Sequence, residues 1–394
     1  MSANLNHNIA KYNFDYSKNI RRDFHKNPEL GFQEFRTSEI ISTELTKFGY
    51  QVKKGVGKTG VVGFISGELP GPNLLLRFDM DALPIQEENS TDYVSQNDGV
   101  MHACGHDAHM AIGLTLAKIL SENKQKINGT IKFIFQPAEE GLGGALAVIE
   151  DGVLRSPQSD YCLGLHIWNE KEIGWVGVRP GPMMAAADTF EIKILGKGGH
   201  GGLPNMAIDP TVAAAQLITS IQSIVSRNVS PFDQAVVSFG SIHGGSTFNV
   251  IPALVELTGT IRTFDPEVRQ LVLKKLESIS KTIGLAFGCD VETNISEITP
   301  AVINSPAIVT VLENVIKNEE FIKEFDNNFI TMGSEDFSLF LNEVPGCFFF
   351  VGSANKEKNL SFGHHHPKFD FDEEVIPIAV ACMLGMIDQI SNIK

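Results

Sequence analysis

The feature that most restricts how this chain can fold is a set of short, largely apolar runs that each end in reactive side chains. Residues 74–78, 131–135 and 161–165 are runs of this kind. Their length and content fit strands covered on both faces, as in a parallel sheet. The first runs into Asp79-Met80-Asp81, the second into Gln136-Pro137-Ala138-Glu139-Glu140-Gly141, and the third ends at His166. Between the first two, residues 107–120 place Met110, Leu114, Ala117 and Leu120 at helical spacing. Strand, helix, strand, with polar groups at successive strand ends, is the doubly wound α/β pattern, in which ligands gather beyond the carboxyl ends of the strands. Asp79, Asp81, Glu139, Glu140 and His166 are all expected at that edge.

The start of the helix carries Met101-His102-Ala103-Cys104-Gly105-His106-Asp107. Side chains two residues apart on an extended or turning backbone fall on one side, so Cys104 and His106 can reach the same ion. Thiolate and imidazole are soft and borderline ligands, and Gly105 lets the backbone pass close by. Further candidate ligands are one of Glu139 and Glu140, His166, and one of His364, His365 and His366. Adjacent carboxylates project differently, so one glutamate can bind metal while the other stays free as a base. His200, within Gly198-Gly199-His200-Gly201-Gly202, reads either as a surface imidazole on a flexible loop or as a mobile donor. His25, His102, His109 and His243 read as structural.

Composition narrows the alternatives. A formal net charge of -15 over 394 residues repels phosphate backbones and anionic membrane surfaces, which argues against nucleic acid as a partner. No run has the length a membrane span needs, and residues 1–16 lack the apolar core of a secretory signal, so a cytoplasmic address is the expectation. The five cysteines are scattered without CxxC spacing, unlike a disulfide framework. There is no Gly-x-Ser-x-Gly elbow and no P-loop, which disfavours serine hydrolase and P-loop nucleotide chemistry.

The pattern changes near Gly181-Pro182. From there the order reads strand 188–195, helix 210–227, strands 234–240 and 253–264, helix 266–286 and strand 289–296. Asp209-Pro210 and Asp265-Pro266 each pair an acidic N-cap with Pro at the first helical position. The β-α-β-β-α-β order is ferredoxin-like. After Thr299-Pro300 the first pattern resumes, with a helix from Ser305-Pro306, a buried strand at 347–351 and a last helix over 373–390.

Taken together the chain resembles the two-domain metal-dependent amidohydrolases that include hippurate hydrolase, aminoacylase-like enzymes and indole-acetyl–amino acid hydrolases. The likeness covers nearly the whole chain. It rests on Arg22-Asp23-Phe24-His25-Lys26-Asn27-Pro28-Glu29, Asp79-Met80-Asp81-Ala82-Leu83-Pro84, Met101 to Asp107, Gln136 to Gly141, Gly198 to Gly201, Asn249-Val250-Ile251-Pro252, Ser334-Glu335-Asp336-Phe337 and His365-His366-Pro367-Lys368-Phe369. The resemblance implies a zinc-peptidase-like catalytic domain, residues 1–183 plus 298–394, and an inserted lid and dimerisation domain, residues 184–297. It implies two divalent ions (manganese, zinc or cobalt) held by Cys104, His106, Glu140, His166 and His365. Glu139 is then the general base and Asp81 orients or tunes a ligand. His200 and Asn249 hold the scissile carbonyl oxygen or the substrate carboxylate. A homodimer or higher homo-oligomer through the inserted domain is implied, because in relatives the insert's histidine completes a neighbouring subunit's site. The expected activity is hydrolysis of an N-acyl amino acid, hippurate first. A dipeptidase, a deacetylase of N-acetyl or diaminopimelate-type substrates, and a non-catalytic metal-dependent binding protein are the alternatives. Phe78, where the family motif has alanine, and Gly201-Gly202-Leu203-Pro204-Asn205 depart from the usual pattern and leave substrate preference open.

Overall fold

The computed structural model describes residues 3–317 and 319–391. The chain divides into two compact units. The first contains the chain up to Gly181, Ile303–Ile330 and the chain from Asp336; the second is Pro182–Val302 with Thr331–Glu335. The boundaries 184–297 read from sequence fall inside this second unit.

Among the described residues the first unit is built on an eight-stranded sheet, in the order Gln51–Val56, Gly60–Ser66, Asn128–Gln136, Leu69–Asp79, Tyr161–Glu172, Gly346–Ala354, Trp175–Gly177 and Glu324–Asp326. Its four central strands, Asn128–Gln136 to Gly346–Ala354, run parallel. The two strands at the Gln51 side are antiparallel to their neighbours. Leu74, Leu75, Leu76, Phe133, Phe135, Cys347 and Phe349 have essentially no exposed surface, as strands covered on both faces require. Helix His106–Glu122 packs closely on them: a Cβ at Gly113 would lie 2.7 Å from Phe78 and 2.9 Å from Phe135. Helix Val375–Ile390 is buried on almost every side. No helix among the described residues is long and apolar enough to cross a membrane.

Two sequence expectations need correction. The strand ending at His166 in fact continues to Glu172. Its pairing with Leu69–Asp79 stops at Gly164, but Gly346–Ala354 pairs with it beyond His166, opposite Phe350, and on to Glu172. His166 therefore sits on a strand that outlasts one neighbour rather than at a strand end. The sequence also predicts a first helix over residues 20–25, ended by Asn27-Pro28; the helix found there is Phe14–Lys26, preceded by another at Ala3–Tyr12. Its buried residues are Ser17, Arg21, Phe24 and His25. An ionic inner face leaves no apolar stripe for periodicity to register.

That ionic face is a buried network. Arg21 Nε donates to Asp107 Oδ2 at 2.7 Å and Nη2 to Asp370 at 2.9 Å, with Arg21 and Asp107 fully buried. His25 Nδ1 lies 2.7 Å from the same Asp107 oxygen, and its Nε2 lies 3.2 Å from Glu87. Asp107 follows His106 at the start of the buried helix, so these contacts pin the segment that carries Cys104 and His106.

In the second unit four antiparallel strands lie in the order Ala235–Gly244, Leu254–Thr263, Ala186–Leu195, Asp290–Thr299. Their succession with helices Pro210–Arg227 and Pro266–Phe287 is the ferredoxin-like arrangement. Asp209 caps the first helix by accepting from Thr211 N–H, and Asp265 caps the second through Glu267 and Val268 N–H. Ile192, Ile194, Leu217, Ile221, Leu257 and Leu276 form part of the core between helices and sheet.

Removing one member of a buried ion network strands the charges that remain. Arg21→Met is expected to lower stability by about 3–5 kcal/mol, read from the urea unfolding midpoint. The pH dependence has a defined sign at His25. Burial alone would lower its pKa, but Asp107 and Glu87 override burial and the Arg21 charge, raising it from 6.5 to about 9. A raised imidazole pKa stabilises the fold fully below its unfolded value, and that contribution disappears as pH climbs through the folded value. Stability is therefore expected to fall between pH 6.5 and about 9, and His25→Gln to flatten that part of the profile.

Candidate metal centre

The site grows from two turns at neighbouring strand ends. In the parallel register Asp79 lies opposite Gln136, so the turns after both residues stand side by side. Asp81 Oδ2 accepts the Glu140 main-chain N–H at 3.1 Å and ties one turn to the other. Arg77 donates to Asp79 at 2.7 Å, to Gln136 at 2.9 Å and to Asp336 at 2.7 Å. Asp336 also accepts from the Gln136 amide at 2.8 Å and from Ala145 N–H at 2.9 Å. All four side chains are buried, and together they fix the base on which Glu139 and Glu140 stand.

Cys104 and His106 flank Gly105, which has φ +92°. A Cβ there would lie 2.5 Å from Ile167, so both conformation and space demand glycine. Cys104 Sγ is 3.4 Å from His166 Nε2. The other ring nitrogen of His166 donates to the Ile167 carbonyl at 2.6 Å, which leaves Nε2 with its lone pair toward the thiol. His106 follows the same logic: its Nδ1 donates to the Asp81 carbonyl at 2.9 Å, with an Asp81 carboxylate oxygen 3.3 Å away. Its Nε2 is buried and has no hydrogen-bond partner. His365 Nε2 approaches Glu140 Oε1 at 3.3 Å.

Three overlapping groups join these side chains: Cys104 with His106 and His166, Cys104 with Glu140 and His365, and His106 with Glu139 and Glu140. Within each, one ligand atom per residue lies within 4.8 Å of the others. All five candidate ligands and Glu139 thus belong to one cluster. Of the histidine triplet, only the His365 ring is in these groups. His364 is turned inward, accepting Asn169 N–H at 3.1 Å and stacking on Trp168. His366 accepts Lys368 N–H at 3.0 Å and stacks on Phe362 at the surface. The backbone of His365 is left-handed, φ +64°, and its N–H is held by the Ala103 carbonyl at 2.8 Å. A strained non-glycine residue held in place by its surroundings is common where a side chain must be aimed.

The electrostatics suit a cation. Burial, then the negative charges of Glu140, Glu139 and Asp79, push the Cys104 thiol well above its usual pKa. A dication placed among these groups reverses that effect, because the coordinated sulfur is held as thiolate. Burial disfavours the charged form of His106, yet Asp79, Asp81 and Glu140 raise its pKa to about 10. His166, pressed by burial and by His109 and His364, is held well below the ordinary value and so stays neutral, as a ligand imidazole must.

Sequence reasoning left Asp79 without a role and His109 as structural. Asp79 is wholly buried and accepts from His109 Nδ1 at 2.6 Å as well as from Arg77. His109 Nε2 in turn accepts Ile167 N–H at 3.0 Å, so both its nitrogens are engaged and it braces the His166 strand. Arg77 and Asp336 were missed as partners because they lie 259 residues apart and no local pattern links them. His200 and Asn249 belong to the second unit. There, His200 pairs with Val250 across a two-residue ladder, and Gly201 N–H donates to the Asn249 carbonyl at 2.8 Å, which makes the two neighbours.

The profile of Peptidase family M20/M25/M40 matches residues 75–389. The chain belongs to this family. N-acetyl-L-cysteine deacetylase of Bacillus subtilis strain 168 is 42% identical over 357 residues, 91% of this chain and 84% of the relative. IAA-amino acid hydrolase ILR1-like 4 of Arabidopsis thaliana is 39% identical over 384 residues, 96% of this chain and 87% of the relative. The crystal structure of the Bacillus subtilis YXEP protein, described as a dinuclear metal-binding peptidase of the M20 family, superposes with a TM-score of 0.84 at 34% identity. That superposition covers 97% of this chain and 99% of YXEP. This M20 protein is accordingly a metal-dependent amidohydrolase with the mixed α/β fold of its family.

The separation of the three histidines gives a direct test. His365→Ala is expected to lower the metal content of the purified M20 protein, whereas His366→Ala leaves it unchanged, both measured by inductively coupled plasma mass spectrometry.

Proposed function

We propose that this protein hydrolyses the amide bond of N-acyl amino acids, releasing a carboxylate and a free amino acid, with hippurate (benzoyl-glycine) as the first substrate to try. We assign Cys104, His106, Glu140, His166 and His365 as ligands, Glu139 as the base and Asp81 as the residue that orients His106. The observation that carries the reading is the inequality of two adjacent carboxylates. Of the three groups described above, Glu140 belongs to two, with Cys104 and His365 and with His106, while Glu139 belongs to one, the group it shares with Glu140 and His106. One can be occupied with a cation while its neighbour keeps a lone pair for a proton.

Two divalent ions bound here would supply an acidified water and a Lewis acid for the carbonyl oxygen. Glu139 takes the proton of the attacking water and returns it to the amine nitrogen as the amide C–N bond breaks. Asp81 keeps His106 in the Nδ1–H tautomer, with Nε2 open. His200 and Asn249 are assigned to the scissile carbonyl oxygen or the substrate carboxylate, an assignment supported by the family resemblance. Manganese, zinc and cobalt all suit a set of thiolate, imidazole and carboxylate. A homodimer formed through the inserted unit and a cytoplasmic setting complete the proposal.

Deacetylation of an N-acetyl amino acid is the second reading, favoured by the 42% identity to an N-acetyl-L-cysteine deacetylase. Comparing benzoyl-glycine, N-acetyl amino acids and dipeptides on protein reconstituted with each metal separates the two readings and the dipeptidase alternative. Glu139→Gln is expected to retain metal while turnover falls about 10²–10⁴-fold, the usual contribution of a positioned base. Turnover within a factor of two of wild type in that variant would remove Glu139 from the role.

A further inference from the structure

We infer that Glu34 is a positioning residue for the reaction, fixing the turn from which Glu139 projects; this rests on the assignment of Glu139 proposed above. Glu34 is wholly buried. Its Oε1 accepts the Ala138 main-chain N–H at 3.0 Å, and its Oε2 accepts the Thr59 hydroxyl at 2.5 Å. Ala138 immediately precedes Glu139, is itself buried, and has φ +55°. An L residue keeps that left-handed conformation only where its surroundings impose it.

The segment around Glu34 supplies those surroundings. A Cβ at Gly31 would lie 3.1 Å from both Cα and Cβ of Ala138, so this part of the chain packs directly under the turn. The other side of Ala138 is tied as well, its carbonyl accepting Gly144 N–H at 3.0 Å. Two residues before Gly31, the Glu29 carbonyl accepts Ala82 N–H at 2.9 Å, and Leu30 bridges Ala82. One loop, residues 29–34, therefore braces both the turn holding Asp81 and the turn holding Glu139 and Glu140. Without Glu34 the Ala138 N–H would be a buried donor lacking its acceptor, and the left-handed turn would lose the contact that holds it.

Position of the acceptor matters here more than charge. Burial pushes the Glu34 carboxyl up to about 7, helped by the negative charge of Asp81 and opposed by its hydrogen bonds to Thr59 and Ala138. An amide at this place keeps an acceptor oxygen for Ala138 N–H, whereas aspartate keeps the charge but is one methylene too short. Effects of misplacing a reacting group by about 1 Å reach about 100-fold in rate.

The experiment compares Glu34→Gln, Glu34→Asp and Glu34→Ala in metal-reconstituted protein, with Glu139→Gln alongside, on whichever amide the substrate panel identifies. Glu34→Gln is expected to keep kcat within about threefold of wild type. Glu34→Asp is expected to lose about 10-fold or more in kcat with KM little changed and metal content retained. Hydrogen exchange in metal-free protein adds a readout independent of activity: amides of residues 138–144 should exchange faster in Glu34→Asp than in Glu34→Gln. If Glu34→Ala does not fold, the Asp and Gln pair still decides the matter. Equal kcat in those two variants, or loss of kcat in step with loss of metal, would overturn the inference. Full turnover in Glu139→Gln would instead overturn the assignment of the base, so the two failures are distinguishable.

Discussion

A hydrogen bond from Glu140 N–H to the Asp81 carboxylate joins the two halves of the cluster. It can form because the parallel register sets Asp79 opposite Gln136, which leaves the next few residues of each strand facing one another. The Asp81 carboxylate is buried and needs donors, and the Glu140 N–H supplies one of its oxygens with a partner. The same Asp81 supplies the carbonyl that fixes His106. Backbone pairing thus sets the position of Asp81, whose carbonyl holds an imidazole and whose carboxylate holds a glutamate backbone.

Behind this contact lie two buried ionic networks, one around Arg77 and one around Arg21. Each brings a guanidinium to carboxylates from distant parts of the chain: Asp336 in the first case, Asp107 and Asp370 in the second. Apolar residues of the same volume could stabilise the fold as well, since burying charge is costly. They could not hold the strand-end turns and the helix start in one geometry with the directional force of planar, multiply bonded donors. We read the networks as devices for precision of placement, set directly beneath and behind the cluster.

How much of this could be read from the sequence follows from the same physics. The buried parallel strands and the capped helices at Pro210 and Pro266 announce themselves through apolar runs and Asp-Pro pairs, because their causes are local. Cys104 and His106 are legible for the same reason, being two residues apart on one turn. The apolar run before His166 places that residue at a strand end, whereas pairing with Gly346–Ala354 carries the strand onward to Glu172. The helix at Phe14–Lys26 was shortened because its buried face is ionic, and a polar stripe looks like a solvated one. The Gln51–Val56 strand went unseen because its side chains are mostly exposed and no alternation marks it. Choosing among His364, His365 and His366 needed the family resemblance at the sequence level; in three dimensions ring orientation separates them, one stacked inward on Trp168, one on Phe362 at the surface, and one beside Glu140.

The proposed difference between Glu139 and Glu140 is traced to the backbone. Nothing in the chemistry of two glutamates assigns one to ligation and the other to proton transfer. The left-handed Ala138 before them turns the chain sharply, and the Asp81 bond fixes the peptide of the second glutamate, so the two stand on backbone held by different contacts. A residue in that conformation is held by what surrounds it, here Gly31 packed against it and Glu34 bonded to it. In the proposed reaction the division of labour at the active centre therefore depends on a loop more than 100 residues earlier in the chain, through packing and one hydrogen bond across a separation of 104 residues.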